Sequence, residues 1–230
     1  MRKLLITLVL IAVAATFADA GQVIKRRPVE AGGGGGRTQV SDAFPDDPAA
    51  RWEIQWGAFE WAGGGFYKTE SGGGGGYSIY NTTIGNATQY AYVQLVDTNG
   101  GPVLRGTGTA ADGYYVVINF NGTVYLQRAN GSGWIADEDS ATLSFAANDY
   151  MGVTIQGTGT GTTVKIWKNP SAPNGTTVPY SKDAWDNSGD TSPDAEMTGT
   201  AAAVYNTGTY VGLGLDSAGV SFDNFIGGGF

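Results

Sequence analysis

Tyr114-Tyr115-Val116-Val117-Ile118-Asn119-Phe120, then Asn121-Gly122, then Thr123-Val124-Tyr125-Leu126-Gln127-Arg128 is the stretch that decides the fold class. Two runs rich in β-branched and aromatic residues flank an Asn-Gly pair. That pair supplies the two positive-φ residues of a type I′ turn, whose twist matches that of antiparallel strands, so the stretch is a β-hairpin. Outward toward the C-terminus a second hairpin follows, Tyr150 to Gln156 and Thr162 to Lys168, joined by the Gly/Thr turn Gly157–Gly161. Val153, Ile155, Val164 and Ile166 share one face, and Thr154, Gln156, Lys165 and Trp167 share the other. Toward the N-terminus, Arg51–Trp56 places Trp52, Ile54 and Trp56 on one face, and the alternation resumes at Phe59 and Trp61. Tyr90–Val96 is another strand, ended by Asp97-Thr98-Asn99-Gly100-Gly101, and Gly208–Leu215 and Val220–Ile226 are the last. No long window has helical periodicity. About ten to fourteen short strands, each with one buried face, predict an all-β chain of two antiparallel sheets packed face to face.

Composition limits the chemistry. The 230 residues contain no cysteine and no histidine, 38 glycines, and a formal charge of −8. Without cysteine there is no disulfide framework, no thiolate nucleophile and no Cys-bearing zinc site. Without histidine there is no Ser-His-Asp triad and no imidazole base. The acidic balance repels phosphate backbones, so nucleic acid is not an expected partner. Carboxylate chemistry, oxygen-ligated hard cations, or binding without chemistry remain. The glycine excess is read as turns and bulges. Gly72–Gly76 is read as a connection, not a phosphate cradle, since neither Lys-Ser/Thr nor a helix start follows it.

Three segments are expected. Residues 1–20 read as a signal peptide: Arg2-Lys3, the apolar run Leu4–Ala15, and Ala18-Asp19-Ala20 as a cleavage site. The alternative, an uncleaved anchor, has fewer than the ~20 apolar residues a bilayer span needs. Residues 21–40 are a basic, Gly-rich flexible linker, with Lys25-Arg26-Arg27, Arg37 and the run Gly32–Gly36 against Glu30, a charge of +3. The other reading of that basic cluster is contact with an anionic cell-surface polymer or with the domain's own acidic face. Residues 41–230 form the folded domain, with seven basic and nineteen acidic side chains, −12. A domain of this size buries roughly 70% of its unfolded surface and needs no disulfide. The product is expected outside the cell or in the periplasm, with no membrane contact after signal cleavage.

The order Asp42-x-Phe44, Trp52, Gly57-x-Phe59-x-Trp61, Gly64-Gly65-Phe66-Tyr67 resembles the opening of the concanavalin A-like lectin/glucanase superfamily, in its laminin-G-like secreted branch. Pro102-Val103-Leu104-Arg105, the two hairpins, Gly208-Thr209-Tyr210-Val211-Gly212-Leu213 and Val220-Ser221-Phe222-Asp223-Asn224-Phe225 continue it over nearly all of 41–230. The resemblance implies a two-sheet antiparallel jelly-roll β-sandwich whose first and last strands lie side by side. It implies no single activity, because this fold hosts lectins, glycosidases, lyases and adhesion modules.

Glycosidases of this family carry Glu-x-Asp-x-x-Glu on one strand, and retaining enzymes hold their carboxylate pair ~5–5.5 Å apart. No such string occurs here. Asp137-Glu138-Asp139 is consecutive, so strand alternation would send its members to opposite faces, and it is read as a solvated acidic loop. The lyase members' histidine is missing. A branch of glycoside hydrolases acting on keto-sugars shares the architecture and keeps an enzyme open, with no acid or base assigned. The resemblance also implies a structural Ca²⁺ held by Asp223 on the last strand, with Asp42 beside it. Otherwise Asp223 caps a loop or pairs with Arg51. Asp183, Asp186, Asp190 and Asp194 are a weaker alternative, lacking the order of an EF-hand loop.

Sugar binding needs an exposed aromatic platform with polar partners. The resemblance places Trp52 and Trp61 in the core. Trp134 in a Gly-Ser-Gly loop, Trp167 on the polar face of its strand and Trp185 among acidic turn residues are the candidate platforms, the alternative for each being a loop anchor. The sequons at Asn81, Asn86, Asn121, Asn130 and Asn174 follow from composition. The reading is a secreted, non-catalytic module that binds polysaccharide or glycan at a cell surface or in the extracellular matrix. A glycoside hydrolase of the same fold and a structural module of a surface layer, appendage or virion are the alternatives.

Overall fold

Asn121 and Gly122 both take positive φ, +50° and +79°, and turn Tyr114–Phe120 back onto Thr123–Asn130, as the Asn-Gly signal requires. The computed structural model describes residues 38–61, 67–69, 75–85, 87–108, 113–170, 172–173, 193–199, 207–215 and 220–229. Within them are fifteen strands: β1 (Gln39–Asp42), β2 (Trp52–Trp56), β3 (Phe59–Trp61), β4 (Tyr67–Thr69), β5 (Gly76–Tyr80), β6 (Gln89–Leu95), β7 (Gly100–Gly106) and β8 (Tyr114–Phe120). They continue as β9 (Thr123–Asn130), β10 (Gly133–Ala141), β11 (Tyr150–Gln156), β12 (Thr162–Lys168), β13 (Ala195–Gly199), β14 (Tyr210–Leu215) and β15 (Ser221–Gly229). The residues read as a signal peptide, those read as a linker as far as Arg37, and most of the second glycine run lie outside the described residues.

All pairings are antiparallel and build two sheets. The eight-stranded sheet runs β13-β12-β11-β6-β15-β4-β3, with β1 also on β15; the seven-stranded sheet runs β10-β9-β8-β7-β14-β5-β2. Non-consecutive neighbours such as β6 beside β15 and β7 beside β14 make this a jelly roll and not a meander. The first and last strands pair, Gln39 opposite Gly228 and Asp42 opposite Phe225. The second hairpin has the expected register: Val153 faces Ile166, Ile155 faces Val164, and all four are fully buried between the sheets. Leu104, Val117, Leu126, Leu213, Phe222 and Phe225 fill the same core.

Three expectations are corrected. Residues 137–139 lie inside β10, not in a loop. Ile54 and Trp56 do not share a face. A bulge at Gln55 sets Ile54 opposite Ser78 and Trp56 opposite Tyr77, so Trp56 turns to the outer side of its sheet. Trp61, expected in the core, is 40% exposed on the edge strand β3, while Trp52 is buried as expected. Several glycines serve in strands and not in turns or bulges. Gly100, Gly101, Gly212, Gly214, Gly227 and Gly228 lie inside strands, where a methyl group would meet a neighbouring strand or a core ring.

Candidate functional site

The outer face of the seven-stranded sheet has an apolar floor of Tyr77, Ile79, Val103, Val116, Ile118 and Ala129, with Trp56, Phe120 and Tyr210 packed on it. β2 and β10 are the two edge strands of this sheet, yet they meet across it. A methyl group on Gly133, at the start of β10, would lie 3.0 Å from Cε2 and Cζ2 of Trp56 in β2. Strand twist has curled the sheet until its edges approach, which makes the face concave. Trp56 packs in turn on Tyr77, with ring centroids 5.4 Å apart. The floor is therefore filled with hydrocarbon, and open space lies toward the β8–β9–β10 end.

That space is a pocket of about 280 Å³ lined by Phe120, Tyr125, Gln127, Trp134 and Asp137. Alternation along the first hairpin positions three of them. Val124 and Leu126 point into the core, so Tyr125 and Gln127 point out, and Phe120 projects on the same side from the end of β8. Trp134 and Asp137 are three apart and would lie on opposite faces of a regular strand. The first of two bulges in β10, at Ile135, brings them together: Trp134 sits opposite Ala129 and Asp137 opposite Gln127. The second bulge also turns Glu138 away, buried against Arg128. Asp137 Oδ1 accepts from Gln127 Nε2 at 2.9 Å and from Trp134 Nε1 at 3.3 Å. The indole is thus held at one end by its N–H while its ring stays 57% exposed.

Of the three tryptophans singled out in the sequence, Trp134 lines this pocket and Trp185 lies outside the described residues. Trp167 is corrected as a platform. It is 3% exposed, packed with Tyr90, Tyr92 and Ile226 on the outer side of the other sheet, because those large rings close over it. Trp134 was placed in a loop, whereas it belongs to β10. Phe120, Tyr125 and Gln127 were missed, although the Asn121-Gly122 turn fixes their register and alternation fixes their face. Asp137 was missed because bulges leave no mark in a single sequence. Among the described residues the pocket wall holds one carboxylate, Asp137, and not the pair a glycosidase needs.

The residues at the expected calcium position do not fit that ion. Asp42 is buried and both its oxygens are committed. Oδ1 accepts from Phe44 N at 2.8 Å and Arg51 Nη2 at 3.2 Å, and Oδ2 from Arg51 Nε at 2.7 Å and Trp52 Nε1 at 2.8 Å. The guanidinium already supplies the positive charge. Asp223 has one oxygen on Asn224 N at 2.7 Å, and among the described residues no three His, Cys, Asp or Glu side chains are grouped so as to hold a metal ion. Six to eight oxygens are what Ca²⁺ takes. Burial pushes the Asp223 carboxyl above its ordinary range, the Asn224 N–H opposes this, and the charge of Asp42 adds to it. A raised folded pKa means that the fold favours the protonated form. This contribution to stability is full at low pH and is lost as pH rises through the folded pKa. Asp223→Asn is therefore expected to raise the melting temperature slightly at neutral pH, an advantage that shrinks on acidification, and EDTA is expected to leave it unchanged. A fall with both treatments in thermal melts would restore the calcium clip.

No family model matches the chain and no curated protein matches it. Solved structures do. The carbohydrate-binding module CBM66 from Bacillus subtilis is 12% identical, covers 75% of this chain and 91% of its own, and has a TM-score of 0.47. The VIP36 exoplasmic/lumenal domain in its Ca²⁺/Man3GlcNAc-bound form is 10% identical over 83% and 88%, at 0.49. The lectin UEA-II complexed with galactose is 9% identical over 84% and 99%, also at 0.49. These neighbours are concanavalin A-like jelly rolls, the kind the resemblance in Asp42–Phe225 names, and at such identities it is the chain's own strand order that carries the fold.

Proposed function

We propose that this chain is a secreted, non-catalytic carbohydrate-binding module that takes a glycan into the pocket at the β8–β9–β10 end of the concave sheet. One observation carries the reading. Trp134 is 57% exposed yet oriented through its N–H by Asp137, in a pocket where two further aromatic rings stand beside polar groups. Sugar C–H faces stack on such rings, and hydroxyls bond to the adjoining amide, phenol and carboxylate. A single carboxylate gives no acid–base pair, so the reading is binding without bond cleavage.

A glycan array followed by titration calorimetry on the full chain tests it. Trp134→Ala is expected to weaken binding about tenfold to a hundredfold, since central aromatic anchors carry most of the affinity at such sites. Its melting temperature is expected to stay close to that of the parent, because the ring supports no core contact. Binding to no polysaccharide, or full affinity in the variant, would overturn the proposal. Release of reducing ends from any polysaccharide would favour the hydrolase reading.

A further inference from the structure

We infer that the pocket selects a sugar carrying a free amine, a hexosamine with an unacetylated ammonium group, over neutral and acidic sugars; this rests on the carbohydrate-binding reading above. The inference begins at Gln127. Its residue is 8% exposed, and its Oε1 is buried without a hydrogen-bond partner, while its Nε2 donates to Asp137. The amide cannot be reversed to relieve this, because its oxygen would then face a carboxylate oxygen, two acceptors with no proton between them. A buried acceptor left unmade is unfavourable until something brings it a donor.

The other walls ask for the same thing. Asp137 Oδ1 is occupied by Gln127 and Trp134, whereas no described residue donates to Oδ2. The Trp134 N–H is spent on Asp137, and among the described residues no lysine or arginine lines the pocket. Apart from the Tyr125 phenol O–H and the second hydrogen of Gln127 Nε2, what the described wall offers is acceptors, one buried and one charged, so a ligand that brings donors is favoured. Three aromatic rings, Phe120, Tyr125 and Trp134, present negative π faces that attract a cation. The carboxylate adds a full negative charge, and the chain's net charge of −8 reinforces that sign. A uronate or sulfated sugar would meet repulsion from the Asp137 carboxylate and find no cationic partner among the described lining residues. An N-acetyl group would cap the amine, remove its charge and add one more acceptor to a wall already rich in them. An ammonium brings three donors and a charge together.

Titration calorimetry of the full chain with short oligomers of glucosamine, N-acetylglucosamine, glucose and galacturonate is the test. The glucosamine oligomer is expected to bind about tenfold or more tightly than the acetylated and neutral ones. The margin should vanish above the pKa of the sugar amine and narrow in high salt. Asp137→Asn, which keeps the side chain's shape, should abolish the margin. A circular-dichroism melt checks that the variant is folded, and Gln127→Leu gives a second variant should it not be. Equal affinity for glucose and glucosamine oligomers, or preference for galacturonate, would overturn the amine selectivity and leave carbohydrate binding standing. Binding to none of the four oligomers and to no polysaccharide would overturn both.

Discussion

Replacing Arg105 by alanine is expected to remove about 3–5 kcal/mol of stability, read as a fall in the urea midpoint. Arg105 is fully buried, and burial pushes its guanidinium pKa down from its ordinary value. Three of its acceptors are neutral: Nε donates to Ala87 O at 2.7 Å, Nη2 to Gly157 O at 2.6 Å and Nη1 to Thr162 Oγ1 at 3.4 Å. Its backbone N–H donates to Gln89 Oε1 at 2.6 Å, and Gln89 Nε2 donates onward to Gly208 O at 2.8 Å. One side chain therefore ties β7 in the seven-stranded sheet to the β11–β12 turn in the other. Truncation leaves the part-buried carbonyls of Ala87 and Gly157 without this donor and opens a cavity as well, and the penalties add. Arg105 also sits at φ +56°. Arg105→Gly should recover only about 1 kcal/mol of that loss by relieving the left-handed backbone. A midpoint shift worth less than about 1 kcal/mol in the alanine variant would show that the guanidinium is not what joins the sheets.

Gly212→Ala is expected to be more damaging still, with no soluble folded protein or a loss above about 4 kcal/mol. Gly212 lies in β14, between β5 and β7, opposite Ile79 on one side and Val103 on the other. A methyl group there would overlap the Ser78 carbonyl oxygen and stand 2.8 Å from Ile79 Cα. Both obstacles are backbone of a paired strand, so no rotamer change makes room and the β14–β5 ladder has to open. Gly161→Ala is the control. Nothing lies within 4 Å of its added methyl group, so stability should change by less than about 0.5 kcal/mol or rise slightly. If both variants expressed and melted alike, the strand glycines would have no packing role.

These two sites mark what could and could not be read along the chain. The hairpins at 114–130 and 150–168 were legible, with turns, faces and partners, because period-2 alternation and an Asn-Gly or Gly/Thr turn are local properties. Glycine at 212 is legible as a strand residue but not as one that has to be glycine. Its reason, a backbone nine strands away in sequence order, exists only once β5 and β14 pair. The same holds for Arg105, whose surroundings come from four separate stretches of chain. At the candidate site, the exposed tryptophan was legible as a residue type and its partners were not.

The sequence by itself determined an all-β chain of two sheets, a core with no need of disulfides, and chemistry without thiol or imidazole. It also named Trp134 as a platform and Asp42 as a residue of consequence. Tertiary structure alone decided that Asp42 is consumed by Arg51 and Trp52, that Trp167 is buried, and that Trp134 and Asp137 stand on one face. The physical reason is common to all three. Alternation and turn propensity act between near neighbours, whereas a bulge, an ion pair or a closed-over ring depends on which strand arrives alongside. The acceptor-rich pocket beneath Trp134 is a product of that arrival.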